Sequence, residues 1–331
     1  MRDKIAHAYH APAWLPGGHA QTLYPALFDH GPIVGYLRER WESTPNGKAD
    51  GDFIELDRVQ STVNALNTPL VVQFHGLEGS SQSRYSRYLM AQAEARGWRG
   101  VVPHFRGCGG TMNNLPRAYH SGDSTEIDWI LRRLRAEAPA QPIYVCAVSL
   151  GGNATLKWLG EQAAAAKNIA DKVVAVSAPI DLTAAGNALE LGFSKLYTYN
   201  FLKTMKVNAQ QKHVRFPDSF DLDVMLASKT LAQFDNVVTA PLHGYRDTAD
   251  YWLRASAKPV LKYIEVPTLL LNAKNDPFLP AIALPRADEV SAAVQREFPD
   301  SGGHVGFLAK QRETNQSWLA LRAFHFFDHG N

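Results

Sequence analysis

The sequence predicts an α/β protein with a mostly parallel, doubly wound sheet and a helical insertion. Between about residues 69 and 178, short apolar segments typical of strands alternate with longer amphipathic segments typical of helices. This alternation indicates parallel strands joined by right-handed crossovers. It stops after Ala178 and resumes at Pro267. Because 331 residues are more than a single core usually fills, we expect one large domain that carries an insertion.

The predicted elements begin with an antiparallel edge. Residues 36–43 and 52–59 are strand-like, and the turn-rich PNGKADG between them predicts a hairpin. The next segments predict strand 69–76, helix 83–97, strand 100–105, helix 123–138, strand 142–148, helix 153–166 and strand 172–178. After the insertion we expect strand 267–273, a helix near 281–291, strand 293–298 and a last helix at about 314–327.

We divide the chain into a core, residues 1–181 and 264–331, and a helical cap insertion, residues 182–263. The insertion is longer than a crossover needs and is rich in Leu, Phe and Tyr. Residues 1–35 are expected to wrap around the core. Their apolar side chains, Trp14 and Phe28 among them, could meet a membrane surface, but Pro12, Pro16 and a Gly-Gly pair make a poor amphipathic helix. We expect this segment to pack against the protein body, so peripheral membrane contact is not indicated.

The composition excludes several classes of function. The 34 basic and 32 acidic side chains nearly cancel, so a nucleic-acid partner is not expected. Cys108 and Cys146 lack the spacing of a zinc site or a disulfide framework. Without a secretory signal or a run of about 18 apolar residues, we expect a cytoplasmic protein. The oligomeric state is left open.

The most informative segment is IYVCAVSLGGNATLKWL, in which a buried strand runs through a serine into a helix. It resembles the strand-turn-helix elbow of nucleophilic serines, with Ala147 at the first glycine of G-x-S-x-G. Ser149 would then be the nucleophile, and the Leu150 N–H would face the oxyanion at the helix N-terminus. The alternative is a serine that only caps a helix.

A serine nucleophile needs a base, and this elbow demands the chain order serine, acid, histidine. Asp276 follows the predicted strand TLLLNA, and His304 lies in the glycine-flanked loop DSGGHVGFL. Alone, Asp276 could be a turn residue before proline, and His304 could be a structural histidine. Together in the demanded order, the three residues predict a Ser-His-Asp triad.

The segment HGLEGS, directly after the third strand, predicts the second half of an oxyanion hole. The Leu77 N–H would be its donor, while His75 and Gly76 would let the backbone approach the substrate and are candidate pocket residues. The alternative is an ordinary strand-to-loop turn.

We expect no metal and no cofactor. His104, His120 and His243 lack partners at metal-ligand spacing, and the pair His7-x-x-His10 lies in a loop-like region. The glycine-rich FRGCGGT lacks the lysine and Ser/Thr of a phosphate loop and is better explained as a turn beside the active site.

The chain resembles the YheT-like branch of the α/β hydrolases, which includes the eukaryotic abhydrolase-domain lipases and esterases. The resemblance spans nearly the whole chain. It rests on WLPGGHAQTLYPAL (14–27), HGLEGSSQSRY (75–85), FRGCGGTMNNLPRAYHSGD (105–123), VSLGGN (148–153), FDNVVTAPLHGYRDTADYWLRAS (234–256), NAKNDPFLP (272–280) and GGHVGF (302–307).

The resemblance implies the α/β-hydrolase fold and an intracellular or membrane-associated esterase or lipase that acts on acyl esters. It makes Ser149, Asp276 and His304 the triad and places Leu77 and Leu150 in the oxyanion hole. One departure is Ala147, where relatives commonly have glycine, so a methyl group lies beside the elbow.

Three hypotheses follow. The first is a serine carboxylesterase that hydrolyses small acyl esters, with short- to medium-chain or lipid-like acyl groups, through an acyl-enzyme. The second is an acyltransferase, in which an alcohol or thiol replaces water. The third is a non-catalytic binding protein that keeps the fold, against which the three intact triad residues argue.

Overall fold

The computed structural model describes residues 8–308 and 317–330. The sheet has eight strands: β1 (Tyr36–Glu42), β2 (Phe53–Val59), β3 (Leu70–Phe74), β4 (Arg99–Pro103), β5 (Ile143–Val148), β6 (Lys172–Val176), β7 (Thr268–Leu271) and β8 (Val294–Glu297). Their spatial order is β1-β2-β4-β3-β5-β6-β7-β8. The predicted hairpin is confirmed, since β1 pairs antiparallel with β2. β2 is antiparallel to β4, and β3 to β8 run parallel.

Helices cover both faces of the sheet. The helices of the core are α1 (Gly18–Phe28), α2 (Arg84–Ala95), α3 (Ser124–Glu137), α4 (Leu150–Gln162) and α11 (Trp318–His329). Successive side chains of a strand point to opposite faces, so Val145 and Ala147 belong to one apolar cluster and Cys146 and Val148 to another. The first cluster includes residues of α3 and α4, and the second includes residues of α2 and α11. The predicted α/β-hydrolase architecture is confirmed.

Six helices lie between β6 and β7 in the chain: α5 (Leu182–Leu189), α6 (Lys195–Arg215), α7 (Leu222–Ala227), α8 (Leu231–Phe234), α9 (Ala240–Leu242) and α10 (Thr248–Ala255). A π-helix, Asp235–Thr239, joins α8 to α9. Helices α6, α7 and α8 share a small apolar cluster that includes Leu202, Met225 and Phe234. The predicted cap limits, 182 and 263, stay a prediction.

The N-terminal segment differs from expectation in two ways. Residues Gly18–Phe28 form a helix with Pro25 inside it, although the glycine and proline content argued against one. Tertiary contacts, described below, override that weak local preference. The segment does contact the body, because Tyr9 packs on Phe307 and Trp318. However, several of its large apolar side chains remain exposed, namely Trp14, Leu27 and Phe28, at 61%, 61% and 67%.

The helix predicted near residues 281–291 does not form. Two short 3-10 turns, Ala281–Ala283 and Ala287–Glu289, stand there instead. Pro285 explains the difference, since proline has no N–H to donate and disfavours a helical residue before it. Leu284, the residue before it, is extended with φ −62° and ψ 146°.

The last helix begins at Trp318, and the first residues predicted for it, 314–316, lie outside the described residues. None of the helices in the described part of the chain is both long and apolar enough to span a bilayer.

Candidate active site

The site lies at the carboxyl ends of the parallel strands, where β5 turns sharply into α4. Ser149 has φ 52° and ψ −120°, a region that non-glycine residues rarely adopt. Its N–H donates to Val176 O of the neighbouring strand at 2.8 Å. The strained turn therefore continues the hydrogen bonding of the sheet. Its conformation places the Ser149 side chain at the carboxyl edge of the sheet.

The glycines after Ser149 are required by close backbone packing. A Cβ on Gly151 would lie 2.5 Å from His75 O and 3.0 Å from Phe74 O. A Cβ on Gly152 would lie 2.9 Å from Ala178 Cβ. Ala147, by contrast, is fully buried in β5 with its methyl group accommodated. The elbow thus needs small residues at the positions expected from the sequence.

The three predicted triad residues lie together. His304 Nε2 is 2.9 Å from Ser149 Oγ, and His304 Nδ1 is 2.9 Å from Asp276 Oδ2 and 3.1 Å from Oδ1. The Asp276 side chain is fully buried, and that of His304 is 10% exposed. The arrangement is a continuous hydrogen-bonded chain from a buried carboxylate through an imidazole to a hydroxyl.

Phe278 shapes the imidazole's surroundings. Its ring stacks on His304 with centroids 3.8 Å apart and planes inclined by 15°, and its N–H donates to Asp276 Oδ1 at 2.8 Å. Tyr197 and Phe201 of α6 pack on the other sides of this ring. Phe278 therefore links the insertion to the histidine and restricts water around it. It was not singled out from the sequence, although NAKNDPFLP contains it.

The loop after β3 lies opposite the elbow. A Cβ on Gly76 would be 3.1 Å from Ser149 Cβ, a contact so tight that Ser149 would have to shift by a few tenths of an ångström. The Gly76 N–H donates to the hydroxyl of Tyr85 at 2.9 Å, a contact that the sequence did not indicate. Leu77 and Leu150, the two predicted oxyanion residues, both line the same cavity.

His75 is enclosed by the protein, and both of its ring nitrogens contact the main chain. Its ring is fully buried, Nδ1 is 2.8 Å from Gly76 O, and Nε2 accepts the Phe105 N–H at 3.1 Å. Since Nε2 must accept, the ring is neutral with its proton on Nδ1. Burial lowers the pKa of His75 to about 3. Neither His75 nor Gly76, the two predicted pocket residues, is among the residues that line the cavity, whereas Leu77 and Glu78 of the same loop do line it.

A cavity of about 380 Å³ extends from Leu77 and Leu150 to the insertion. Its apolar wall includes Met112, Met205, Phe220, Phe234, Val238 and Leu242. This is within the size range of small-molecule sites. Its walls come from the sheet-edge loops and from α6 to α9, so both parts of the chain would contact an occupant.

Polar side chains also line the cavity. Glu78 accepts from the Tyr119 hydroxyl at 2.7 Å and from Asn208 Nδ2 at 2.8 Å, and burial raises its pKa. Lys212 donates to the side-chain oxygen of Asn113 at 2.9 Å and to two main-chain carbonyls. These contacts tie α6 to the core.

Asp235, in the π-helix, accepts from Thr239 Oγ1 and Trp252 Nε1. Burial raises its pKa to about 6. It lines the cavity, and it could not be predicted from the sequence, because an i to i+5 turn has no clear residue pattern. π-Helices are frequent at functional sites, which makes this residue a candidate for shaping the pocket.

Within residues 8–308 and 317–330, no group of three or more His, Cys, Asp or Glu side chains is arranged to hold a metal ion. His120 and His243 lie side by side, with ring centroids 4.5 Å apart, but His243 contacts the carbonyls of Thr239 and Ala118 through both nitrogens. The expected lack of a metal stays a prediction.

A family profile described as "alpha/beta hydrolase fold" matches residues 69–311, well over half of the sequence. The chain belongs to the alpha/beta hydrolase family. "Putative esterase YheT" of Escherichia coli (strain K12) is 36% identical over 310 residues, which cover 92% of this chain and 88% of that protein. The predicted resemblance to the YheT-like branch is thereby confirmed.

A second alpha/beta hydrolase, "Phospholipase ABHD3" of Homo sapiens, is 27% identical over 306 residues, covering 92% of this chain and 74% of that protein. Among solved structures, ferulic-acid-bound Est1E from Butyrivibrio proteoclasticus matches 85% of this chain and 96% of its own. Its TM-score is 0.54 at 14% identity, so this likeness shows the fold alone. With family and relatives together, the chain is a hydrolase.

Proposed function

We propose that this alpha/beta hydrolase is a serine carboxylesterase with Ser149 as nucleophile, His304 as general base and Asp276 as the carboxylate that orients the imidazole. The observation that carries the proposal is the hydrogen-bonded chain from Asp276 through His304 to Ser149, with both outer contacts at 2.9 Å. Nucleophile and base lie within the reach that proton transfer requires.

The proposed reaction has two halves. Ser149 Oγ attacks the ester carbonyl carbon while His304 Nε2 takes the hydroxyl proton, and the Leu77 and Leu150 N–H groups face the resulting oxyanion. The intermediate then collapses, the C–O bond to the alcohol breaks, and His304 returns its proton to the leaving oxygen. Water, activated by the same imidazole, hydrolyses the acyl-enzyme to the carboxylic acid and free Ser149.

The cavity supports a small acyl ester as substrate. Its largely apolar wall suits an acyl chain, from short or medium length to lipid-like, placed beside the two oxyanion residues. The names of the relatives, esterase and phospholipase, agree with ester substrates. A hydrophobic wall discriminates by only about 1 to 3 kcal/mol per methylene, so we expect a graded rather than an absolute preference for chain length.

The first test compares wild type with Ser149→Ala, using a fluorophosphonate probe and a series of p-nitrophenyl esters. We expect labelling to vanish and turnover to fall by at least about 10⁴-fold in the variant. Ser61→Ala, at an exposed serine outside the site, is the matched control and should keep both activities. A wild-type protein that neither labels nor hydrolyses any ester would contradict the proposal and favour a binding protein.

Adding an alcohol to the assay separates hydrolysis from acyl transfer. An esterase should release mainly the free acid. A product that is mainly the new ester at low alcohol concentration would replace the hydrolase proposal with an acyltransferase that uses the same acyl-enzyme.

A further inference from the structure

The N-terminal helix α1 packs against both loops that carry the acid and the base. A Cβ on Gly18 would lie 1.9 Å from Asn275 O, next to Asp276, and a Cβ on Gly306 would lie 2.0 Å from Gln21 O. The backbone of α1 therefore approaches the backbone of both loops at distances that only glycine permits. This interface joins residues that are far apart in the chain, with separations of 254 for Gln21 and Asn275 and 282 for Thr22 and His304.

Two buried side chains of α1 bind the histidine loop directly. The main-chain N–H of His304 donates to Thr22 Oγ1 at 2.8 Å, and the same hydroxyl donates to Gly18 O at 2.7 Å. Gln21 Oε1 accepts from Gly302 N at 2.8 Å and from Asn275 Nδ2 at 2.9 Å. Gln21 and Thr22 are 3% and 9% exposed.

The histidine loop needs such external contacts, because its own backbone is strained. Gly302, Gly303, Val305 and Phe307 have φ of 149°, 61°, 57° and 38°. A positive φ is especially unfavourable for a β-branched residue such as Val305. A loop in this conformation persists only where its surroundings hold it.

We infer that Gln21 and Thr22 are positioning residues, which hold the main-chain N–H groups of Gly302 and His304 and the side chain of Asn275 so that the His304 ring meets both Asp276 and Ser149. Their hydrogen bonds go to the loops and not to the His304 ring or the Ser149 hydroxyl, so they act through the loops. This inference rests on the proposed role of His304 as the base. It assigns to α1 a part in turnover that its position at the start of the chain does not suggest.

The test compares Thr22→Val, which keeps the shape but removes the acceptor of the His304 N–H, with Thr22→Ser, which keeps the hydroxyl. A displacement of about 1 Å at a reacting group can cost about 10²-fold. We therefore expect kcat to fall about 10- to 100-fold in Thr22→Val with KM nearly unchanged, and fluorophosphonate labelling to slow in parallel. Thr22→Ser should recover most of the rate.

The ring protons of His304 give a readout that does not depend on turnover. In ¹³C-histidine-labelled protein, with His304→Asn used to assign its signal, we expect Thr22→Val to shift the ring resonance and Thr22→Ser to leave it close to wild type. Phe28→Ala, on the exposed outer face of α1, is the matched control and should change neither the rate nor the resonance.

Should Thr22→Val fail to fold by circular dichroism, Gln21→Asn takes its place. It retracts the amide by one bond, about 1.5 Å, and should shift the same resonance in a folded protein. An unchanged His304 resonance with kcat within twofold of wild type overturns the inference, and so does a Thr22→Ser variant as impaired as Thr22→Val. If wild type lacks esterase activity, the proposed function fails, yet the His304 resonance alone still supports or overturns the positioning role.

Discussion

The serine and the histidine of the site are held in place by different means. Ser149 lies in a turn between two regular elements, and its N–H continues the pairing of β5 with β6. His304 lies in an irregular loop with positive φ at several residues. Its N–H is bound by Thr22, 282 residues earlier in the chain. Sheet geometry thus holds Ser149, whereas a helix distant in the chain binds the loop that carries His304.

This difference teaches that the two halves of the site should respond differently to mutation. A change near Ser149 has to distort the sheet edge itself. A change near His304 can leave the sheet intact and still misplace the imidazole, because the loop depends on α1 and on single side chains. The predictions below separate these two cases, in order of decreasing expected effect.

The largest effects should come from filling the glycine contacts on each side. Gly151→Ala places a methyl group against His75 O, and Gly306→Ala places one against Gln21 O. Overpacking usually costs about 1 to 3 kcal/mol, and shifts of about 1 Å should lower kcat about 10²-fold. We expect both losses in both variants, measured by chemical denaturation and by ester turnover.

Hydrogen exchange distinguishes the two variants. Gly306→Ala should accelerate exchange of the amides of α1, whereas Gly151→Ala should leave them slow. Gly35→Ala is the control, since its Cβ would meet Gln60 Oε1 at an ordinary 3.4 Å. If Gly151→Ala loosened α1 as much as Gly306→Ala, the two halves would not be independently held.

The same difference explains what the sequence could and could not predict. The strands, the elbow at Ser149 and the strand end before Asp276 have local patterns, because a buried strand followed by a tight turn demands apolar and then small residues. The helix α1 has no such pattern. It lacks a side-chain N-cap and contains Pro25, so only its tertiary contacts explain it.

The arrangement of the side chains around the site could likewise not be predicted from the sequence. Phe278 lies two residues after Asp276, but this position did not predict a contact with His304, on which its ring stacks. The π-helix that carries Asp235 and the 3-10 turns on either side of Pro285 also depend on context. What stays a prediction is the cap boundary, the cytoplasmic location and the catalytic roles.

Acid should weaken the serine side of the site first. Burial lowers the pKa of His75 to about 3 and that of His104 to about 4. His104 Nε2 accepts the Ser81 N–H at 3.2 Å, and His75 Nε2 accepts the Phe105 N–H. Both rings therefore stay neutral in the fold, and the unfolded chain binds their protons below about pH 6.5.

The stability from these neutral rings is present above pH 6.5 and is lost as the pH falls towards 4 for His104 and towards 3 for His75. At pH 5 the loss is about 2 kcal/mol for each ring. We expect these two rings to lower the free energy of unfolding between pH 7 and 5 by that amount each, with the Phe105 amide among the first to lose exchange protection. If the His304 amide, which Thr22 binds, lost exchange protection at the same pH as the Phe105 amide, the loops around Ser149 and His304 would not differ in their response to acid.

Phe278→Leu should have a smaller effect, confined to the histidine side. Leucine keeps the apolar contact but loses the flat face that stacks on His304. We expect kcat to fall about tenfold, equivalent to about 1.4 kcal/mol, with a stability loss below about 1.5 kcal/mol. Phe201→Leu, in the same apolar cluster, should cost similar stability and change kcat no more than about twofold. Equal kinetic losses would show that packing, not stacking, matters.

The smallest effect is expected for Arg84→Lys. This variant tests whether contacts from α2, in addition to those from α1, hold the loop that carries His304. Arg84 Nη2 donates to Val305 O at 2.6 Å and to Gly306 O at 2.9 Å, while Nη1 lies 3.7 Å from Asp29 Oδ2. Lysine has a single nitrogen and cannot serve both sides as the guanidinium fork does. Since the contacts from α1 remain, we expect kcat to fall only about threefold, or about 0.7 kcal/mol.

Arg87→Lys, three residues further along α2, is the matched control for Arg84→Lys, because its contacts with His30 O and Gln82 Oε1 are exposed. Its kcat should equal that of wild type within error. A loss in Arg84→Lys as large as in Thr22→Val would mean that α2 and α1 hold the loop as one unit. In that case the position of His304 would depend on an interlocked set of distant contacts, and losing any one of them would cost as much as losing the Thr22 hydroxyl.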